Sequence, residues 1–252
     1  MGKDISNIKF TREDFQAFAA RLKSETELLK RWRDEGRLAS DPPRIGLELE
    51  IWLVDEAGRP APCNTAVLAQ AQEPLLTLEL AQYNLELNTT PQPLAGQPFT
   101  ALRQELEQVW QRVAAAAARQ QARLAMIGIL PSARQEDLSL ARMSPLNRYQ
   151  ALNEQVLLLR NQRPLQLDIQ GVERLTLSHA DVMLESAATS LQLHLQVSPQ
   201  NAARLFNAAV MASAATVAAA ANSPFLFGRR LWEEPRIPLF EQAVAVTPPH
   251  GG

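Results

Sequence analysis

The sequence predicts an α+β fold, a mainly antiparallel sheet with helices packed on one face, from three observations. Short runs such as LELEIWL, NLELN and LQLHLQV alternate apolar with polar residues at the period of a half-buried strand. Longer runs repeat apolar residues at helical spacing, and one holds five consecutive alanines, 114–118. The 252 residues, 46% of them apolar, suffice for a substantial core.

From Thr11, the run TREDFQAFAARLKSETELLKRWRDEG sets Phe15, Phe18, Leu22, Leu28, Leu29 and Trp32 at mostly helical spacing, with Thr11 as N-cap and Gly36 as terminator. The prolines of SDPPR stop that helix, so 1–43 is expected to be an N-terminal helix and a Pro-containing linker. The opening strand covers about 45–54 and closes in the turn DEAGRP; a second alternating run, QYNLELNTT, ends at Pro91. Residues 98–121 read as a long amphipathic helix, and RLAMIGILP as a buried strand ending at Pro131. SPLNRYQALNEQVLLLRN reads as a helix with Ser144 as N-cap and Pro145 at the first helical position. The strand TSLQLHLQVSP leads into a helix over about 200–221, uncharged after Arg204 and therefore expected between layers. These elements make 44–242 one domain, and 243–252 a tail with no cap and little core potential.

Composition excludes some classes of function. With 25 basic and 27 acidic residues, a formal charge of −2 gives no global attraction for nucleic acid or anionic membrane, and neither is expected as a partner. The single cysteine, Cys63, excludes an intrachain disulfide and a cysteine-built zinc cluster, and favours a reducing compartment. The N-terminus lacks an apolar core of signal-peptide length and no uninterrupted apolar run reads as long enough to span a bilayer, so a cytoplasmic protein is expected.

Alternation sorts the strand residues into faces. Leu47, Leu49, Ile51 and Leu53 point one way, with Glu48, Glu50 and Trp52 opposite. Leu85 and Leu87 oppose Asn84, Glu86 and Asn88; Leu191, Leu193, Leu195 and Val197 oppose Gln192, His194 and Gln196. Two readings fit these polar faces. They are the solvated sides of a half-exposed sheet, or they are a site. The faces contain no Lys or Arg, and like charges without a cation repel, which favours a site that recruits a divalent metal. Oxygen-rich ligands with one imidazole suit Mg²⁺ or Mn²⁺.

Several segments together resemble the glutamate-cysteine ligase and carboxylate-amine ligase family, whose catalytic domain is glutamine-synthetase-like. GLELEIWLVD resembles the family's Gly-x-Glu-x-Glu strand, and ELAQYNLELNTTP its following stretch with two acids seven residues apart. MSPLNRY is similar to a Met-Pro-x-x-Arg-Tyr segment, SLQLHLQVS to a strand with a polar residue two before His or Asn, and AANSPFLFGRRLWEEPRIPLFEQ to Ser-Pro-Phe-x-x-Gly-Arg followed by a second arginine. The matches run in family order from 45 to about 242. The resemblance implies an ATP-dependent ligase that joins the γ-carboxylate of glutamate to an amine, most plainly that of cysteine, through an acyl phosphate, as in glutathione biosynthesis. ATP and Mg²⁺ (or Mn²⁺) are the implied cofactors, and glutamate and the amine the implied partners.

By the same resemblance, Glu48, Glu50, Glu79 and Glu86 would be metal ligands, and Gln192 and His194 would complete metal and nucleotide contacts. Arg229 and Arg236 would be catalytic, stabilising charge on the transferring group, while Arg148, Tyr149, Asn222 and Ser223 would bind substrate. Structural readings stand beside these: Glu79 as a surface residue, His194 as a hydrogen-bonded histidine, Arg229 and Arg230 as helix caps or partners of Glu233 and Glu234. Family members continue past the Gly-Arg segment into further strands, whereas this chain stops at Gly252. The resemblance therefore implies a C-terminally truncated chain whose site is incomplete, or is completed by self-association or a partner. One alternative to a ligase is a non-catalytic fragment or degenerate paralogue that binds nucleotide or glutamate; another is a metal-dependent hydrolase that uses the clustered acids on a bound water.

Overall fold

The structure, a computed structural model, describes residues 3–38 and 42–246. In chain order its helices and strands are α1 (Arg12–Asp34), β1 (Arg44–Val54), α2 (Asn64–Ala71), β2 (Leu76–Leu78), β3 (Asn84–Asn88), β4 (Gln92–Pro93), α3 (Pro98–Arg119), β5 (Arg123–Ala125), α4 (Asn147–Leu159), β6 (Leu165–Gln170), β7 (Arg174–His179), β8 (Leu191–Gln196), α5 (Ala202–Ala220), β9 (Phe225–Leu226), β10 (Arg229–Arg230) and α6 (Arg236–Ala243). The fold is α+β and every strand pairing among the described residues is antiparallel. Residues 39–41 of the expected linker and 247–252 of the expected tail lie outside the described residues.

The organising element is β1, eleven residues long, which pairs along both edges. One edge takes β3 and β4, and the other takes β8 beside its first half and β5 beside its last three residues. β2 extends the sheet beyond β3. Directly opposed residues share a face, so the register Glu48↔Asn88, Glu50↔Glu86 and Glu48↔Gln192 gathers the polar residues of three strands on one side. The reverse side carries Leu49, Ile51, Leu53, Leu85 and Leu87, which pack on Val67 of α2 and on Val109, Val113, Ala116 and Ala117 of α3. A second core lies around Trp52 and Tyr83, whose rings stack 5.2 Å apart, and includes Leu167, Ile169 and Leu239 of β6 and α6. Trp52 shares the face of Glu50 yet is fully buried, because the second core covers that end of the sheet.

Helix ends follow local chemistry. Thr11 and Asp14 form a reciprocal capping box at the start of α1. At its end, Gly36 adopts φ +67°, with Arg37 N–H donating to the Trp32 carbonyl and Gly36 N–H to that of Arg33, a Schellman closure. Two expectations fail here. α4 begins at Asn147, not at Pro145, because the Ser144 hydroxyl is buried between the Glu79 carbonyl and the Asn64 amide; Asp4 instead accepts from Arg148 N–H in the first turn. RLAMIGILP is a strand only over Arg123–Ala125. After that, the chain bends across the polar face and leaves the ladder. The hairpin β6–β7, unassigned from sequence, nevertheless alternates cleanly, with Leu165, Leu167 and Ile169 inward.

The largest departure concerns α5. None of its residues is buried, although it carries a single charge, Arg204. It exposes Phe206, Val210 and Met211, and the neighbouring β8 exposes Leu191, Leu193 and Leu195. By length and composition α5 would suffice to cross a membrane, with a mean hydropathy of 1.3, against the expectation that no run is long enough. An apolar helix favours transfer out of water, but its composition does not specify what covers it.

Candidate functional site

The polar face borders a cavity of about 970 Å³ lined by Glu50, Glu79, Asn84, Glu185, Gln192, Asn222 and Arg236, among others. Its opposite wall is apolar, built by Val217 and Ala220 at the end of α5 and by Ile237 and Phe240 of α6. Glu50 accepts from Ser190 N–H at 2.8 Å and from the Gln192 amide at 3.2 Å, so β8 fixes its carboxylate. Glu86, directly opposite on β3, accepts from Thr77 Oγ1 at 2.9 Å and Asn88 Nδ2 at 2.8 Å through one oxygen. Glu79 follows β2, accepts a long bond from Leu80 N–H, 3.3 Å, and is hydrogen-bonded through its side chain to Glu86.

Electrostatics tie these acids together. The Glu79 carboxyl is pushed up to about 8, first by burial and then by the charges of Glu50 and Glu86. Burial, with Glu86 as a further contributor, also raises Glu50. A group whose folded pKa lies above its ordinary 4.5 retains a proton in the folded chain, so stability is fully present below about 4.5 and is lost as pH rises through about 8. We therefore expect the melting temperature in a chelator to fall between about pH 5 and about pH 9, and Mg²⁺ to flatten that fall. Thermal scans across this range check it; a flat profile in the chelator would show that the acids do not couple.

The donor set fits a hard divalent cation in its chemistry, since carboxylate oxygens that repel one another in a half-dry cavity gain from shared positive charge. Among the described residues, no three His, Cys, Asp or Glu side chains stand close enough to form a ready cage. Glu48 separates from the other expected ligands. Its carboxylate lies 3.2 Å from His194 Nε2 on β8, so the pair satisfies itself away from the residues lining the cavity.

The other expected residues divide in the same way. Arg236 lines the cavity, held by two bonds to Glu234, 2.6 and 2.7 Å, and one to the Thr189 carbonyl, 2.8 Å. Arg229 does not line it. It pairs with Glu173 at 2.9 Å on the exposed β10 strand, because the β9–β10 hairpin turns its side chain toward the β6–β7 turn. Asn222 borders the cavity, and Ser223 donates to its side-chain oxygen at 3.2 Å. Tyr149 donates to the Leu78 carbonyl at 3.0 Å, while Arg148 donates to the same carbonyl and stacks over the Tyr149 ring. Tyr149 is raised by burial and then by Glu79, which places this pair behind that acid. Gly128 allows the closest approach. A Cβ there would stand 2.2 Å from Ser223 Oγ and 2.9 Å from Arg236 Cδ, so any side chain would displace both.

Sequence reading missed Glu185. It lies in a short 3₁₀ segment, Val182–Ala187, and its carboxyl is raised by burial and then by Glu50. The signal was present as a lone acid inside VMLESAATSL, since an isolated charge in an apolar run is seldom buried without purpose.

Comparison with known proteins places the chain in a family. No curated protein matches the chain. Among solved structures it is similar to a bifunctional glutathione synthetase from Pasteurella multocida, with 16% identity and a TM-score of 0.41 over 66% of this chain and 18% of that one. It is also similar to a glutamate-cysteine ligase from Francisella tularensis in complex with AMP, with 12% identity and a TM-score of 0.39 over 71% of this chain and 30% of that one. The chain thus spans less than a third of the length of either. The model of glutamate-cysteine ligase family 2 matches residues 44–251, from the first residue of β1 onward, and the chain belongs to that family.

Proposed function

We propose that this chain is an ATP-dependent carboxylate-amine ligase that joins the γ-carboxylate of glutamate to an amine, cysteine being the acceptor its family name suggests, through an acyl phosphate. The observation that carries the reading is the meeting of Glu50, Glu79 and Glu86 on one sheet face, beside a cavity that Arg236 also lines. A divalent cation, for which Glu50 and Glu79 are the carboxylates lining the cavity nearest that face, would supply charge neutralisation for the phosphates of ATP. The γ-carboxylate oxygen would attack the terminal phosphorus as the bond to ADP breaks; the amine nitrogen would then attack the acyl carbon and expel phosphate. Arg236, fixed by Glu234, offers a preset positive charge to the group in transfer.

A second reading has one observation in its favour. Arg229 is engaged on the surface and Arg236 is already paired, which suits a chain that binds nucleotide or glutamate without turnover. ADP release in the presence of glutamate, an amine and Mg²⁺ or Mn²⁺ separates the two. We expect release to require all of them. Metal-dependent nucleotide binding with no release would favour the second reading.

A further inference from the structure

The helix α1 takes no part in the site described above. The family match begins at residue 44, so α1 precedes the family domain, and none of its 23 residues is buried. Among the described residues, every side-chain hydrogen bond and ion pair that α1 makes joins residues within 11–37. Helices in proteins draw most of their stability from packing an amphipathic face, and α1 has such a face without a partner. Phe15, Phe18, Leu22, Leu29 and Trp32 occupy the a and d positions of three successive heptads, with Glu25 as the one polar residue in the seam. These five apolar side chains are 37–65% exposed.

Charge and area select the occupant. α1 carries six basic and five acidic residues, whereas a helix that lies on a bilayer concentrates Lys and Arg on its polar face. Three aromatic rings and two leucines exposed to this extent offer roughly 450 Å² of apolar surface, close to the apolar share of the ~800 Å² that each partner buries in a standard interface. A second α1 supplies an equal seam. With two seams antiparallel and Phe15 opposite Trp32, Asp14 would fall beside Glu35 of the second copy and Arg12 beside Arg33, like charges at both flanks. In parallel register, Asp14, Arg21 and Leu28 fall beside Ala19, Thr26 and Arg33 of the second copy, and no like charges meet there. Glu25 is drawn to the flank by Arg21 of its own helix, 2.7 Å away. We propose that α1 is a dimerisation helix that pairs in parallel and in register with α1 of a second copy, setting two family domains side by side. The inference rests on no step of the ligase reading.

Sedimentation equilibrium of the whole chain, from about 1 to about 200 μM, is expected to show a reversible monomer–dimer equilibrium. Leu22→Glu lies on a helix with no buried residue; it should leave the melting of the domain unchanged and weaken association by at least about 100-fold. Glu25→Leu completes the seam and should tighten association by about tenfold or more. With Cys63 replaced by serine, Phe18→Cys should form a disulfide-linked dimer under oxidised glutathione. Parallel helices bring the two sulfurs into one layer, and the antiparallel pair holds them about 16 Å apart along the axis. A monomer at every concentration, or no gain from Glu25→Leu, would overturn the proposal. A dimer that Leu22→Glu leaves intact would assign the contact to another face, such as α5, and overturn it as well. Absence of the link in Phe18→Cys would overturn the parallel arrangement. Uptake of the parent chain, but not of Leu22→Glu, by vesicles of phosphatidylcholine and phosphatidylserine, with no dimer in solution, would assign the stripe to a bilayer instead.

Discussion

Replacing Arg236 with alanine is expected to destabilise the chain by about 3–5 kcal/mol, the usual cost of stripping a buried ion pair of one partner. Glu234 is 3% exposed in its side chain and Arg236 25%, so neither ion recovers much from water when the other is removed. The guanidinium fork grips both oxygens of Glu234 and its remaining arm holds the Thr189 carbonyl, one residue before the Ser190 N–H that fixes Glu50. The loss should therefore spread to the acids, weakening nucleotide binding as well as the fold. Lysine in its place keeps the charge but not the fork, and should restore only part of the stability. Urea unfolding of the parent, Arg236→Ala, Arg236→Lys and the double Glu234→Gln/Arg236→Met chain checks this. The double variant should be more stable than Arg236→Ala, because no uncompensated charge remains. A loss below about 1 kcal/mol in the alanine variant would mean that Glu234 is hydrated after all.

The second large effect is a divergence between two acids of like chemistry. Glu50→Gln should weaken metal-dependent nucleotide binding by about 100-fold, since a hard anionic ligand is replaced by a neutral one of nearly the same shape. Glu79→Gln should weaken it too, but should raise the melting temperature in a chelator near about pH 8. The reason is that Glu79 carries the cost of the cluster: its charge is opposed by burial, by Glu50 and by Glu86, and its best compensation is one long backbone bond. Glu50 has the opposite balance, with Ser190 and Gln192 donating to it, so its amide replaces accepted bonds with a repelling donor. Titrations at limiting and saturating Mg²⁺, beside thermal scans in a chelator, separate ligand loss from fold loss. Unchanged nucleotide binding in both variants would remove the acids from any metal role. This pattern, stability gained where binding is lost, marks residues kept for function.

Alternation by itself determined which residues of β1, β3 and β8 share a face, because successive side chains of an extended chain must point to opposite sides wherever the strand is placed. Capping chemistry likewise determined where α1 begins and ends, through contacts within a few residues. Encounters across long separations were decided by the tertiary structure alone. The same face holds Glu48, Glu50 and Trp52, yet one meets His194, one joins Glu79 and Glu86, and one is sealed against Tyr83. Arg229 and Arg236 lie seven residues apart, and a two-strand hairpin followed by a helix sends one to Glu173 on the surface and the other to the cavity. Glu185 came to Glu50 from 135 positions away, and α5, apolar enough to be sent to a core by composition, ended with no buried residue. Periodicity and caps are properties of neighbouring bonds and are written locally. Distances between acids, and what covers an apolar face, depend on how turns and packing place whole elements, which no short window of sequence contains.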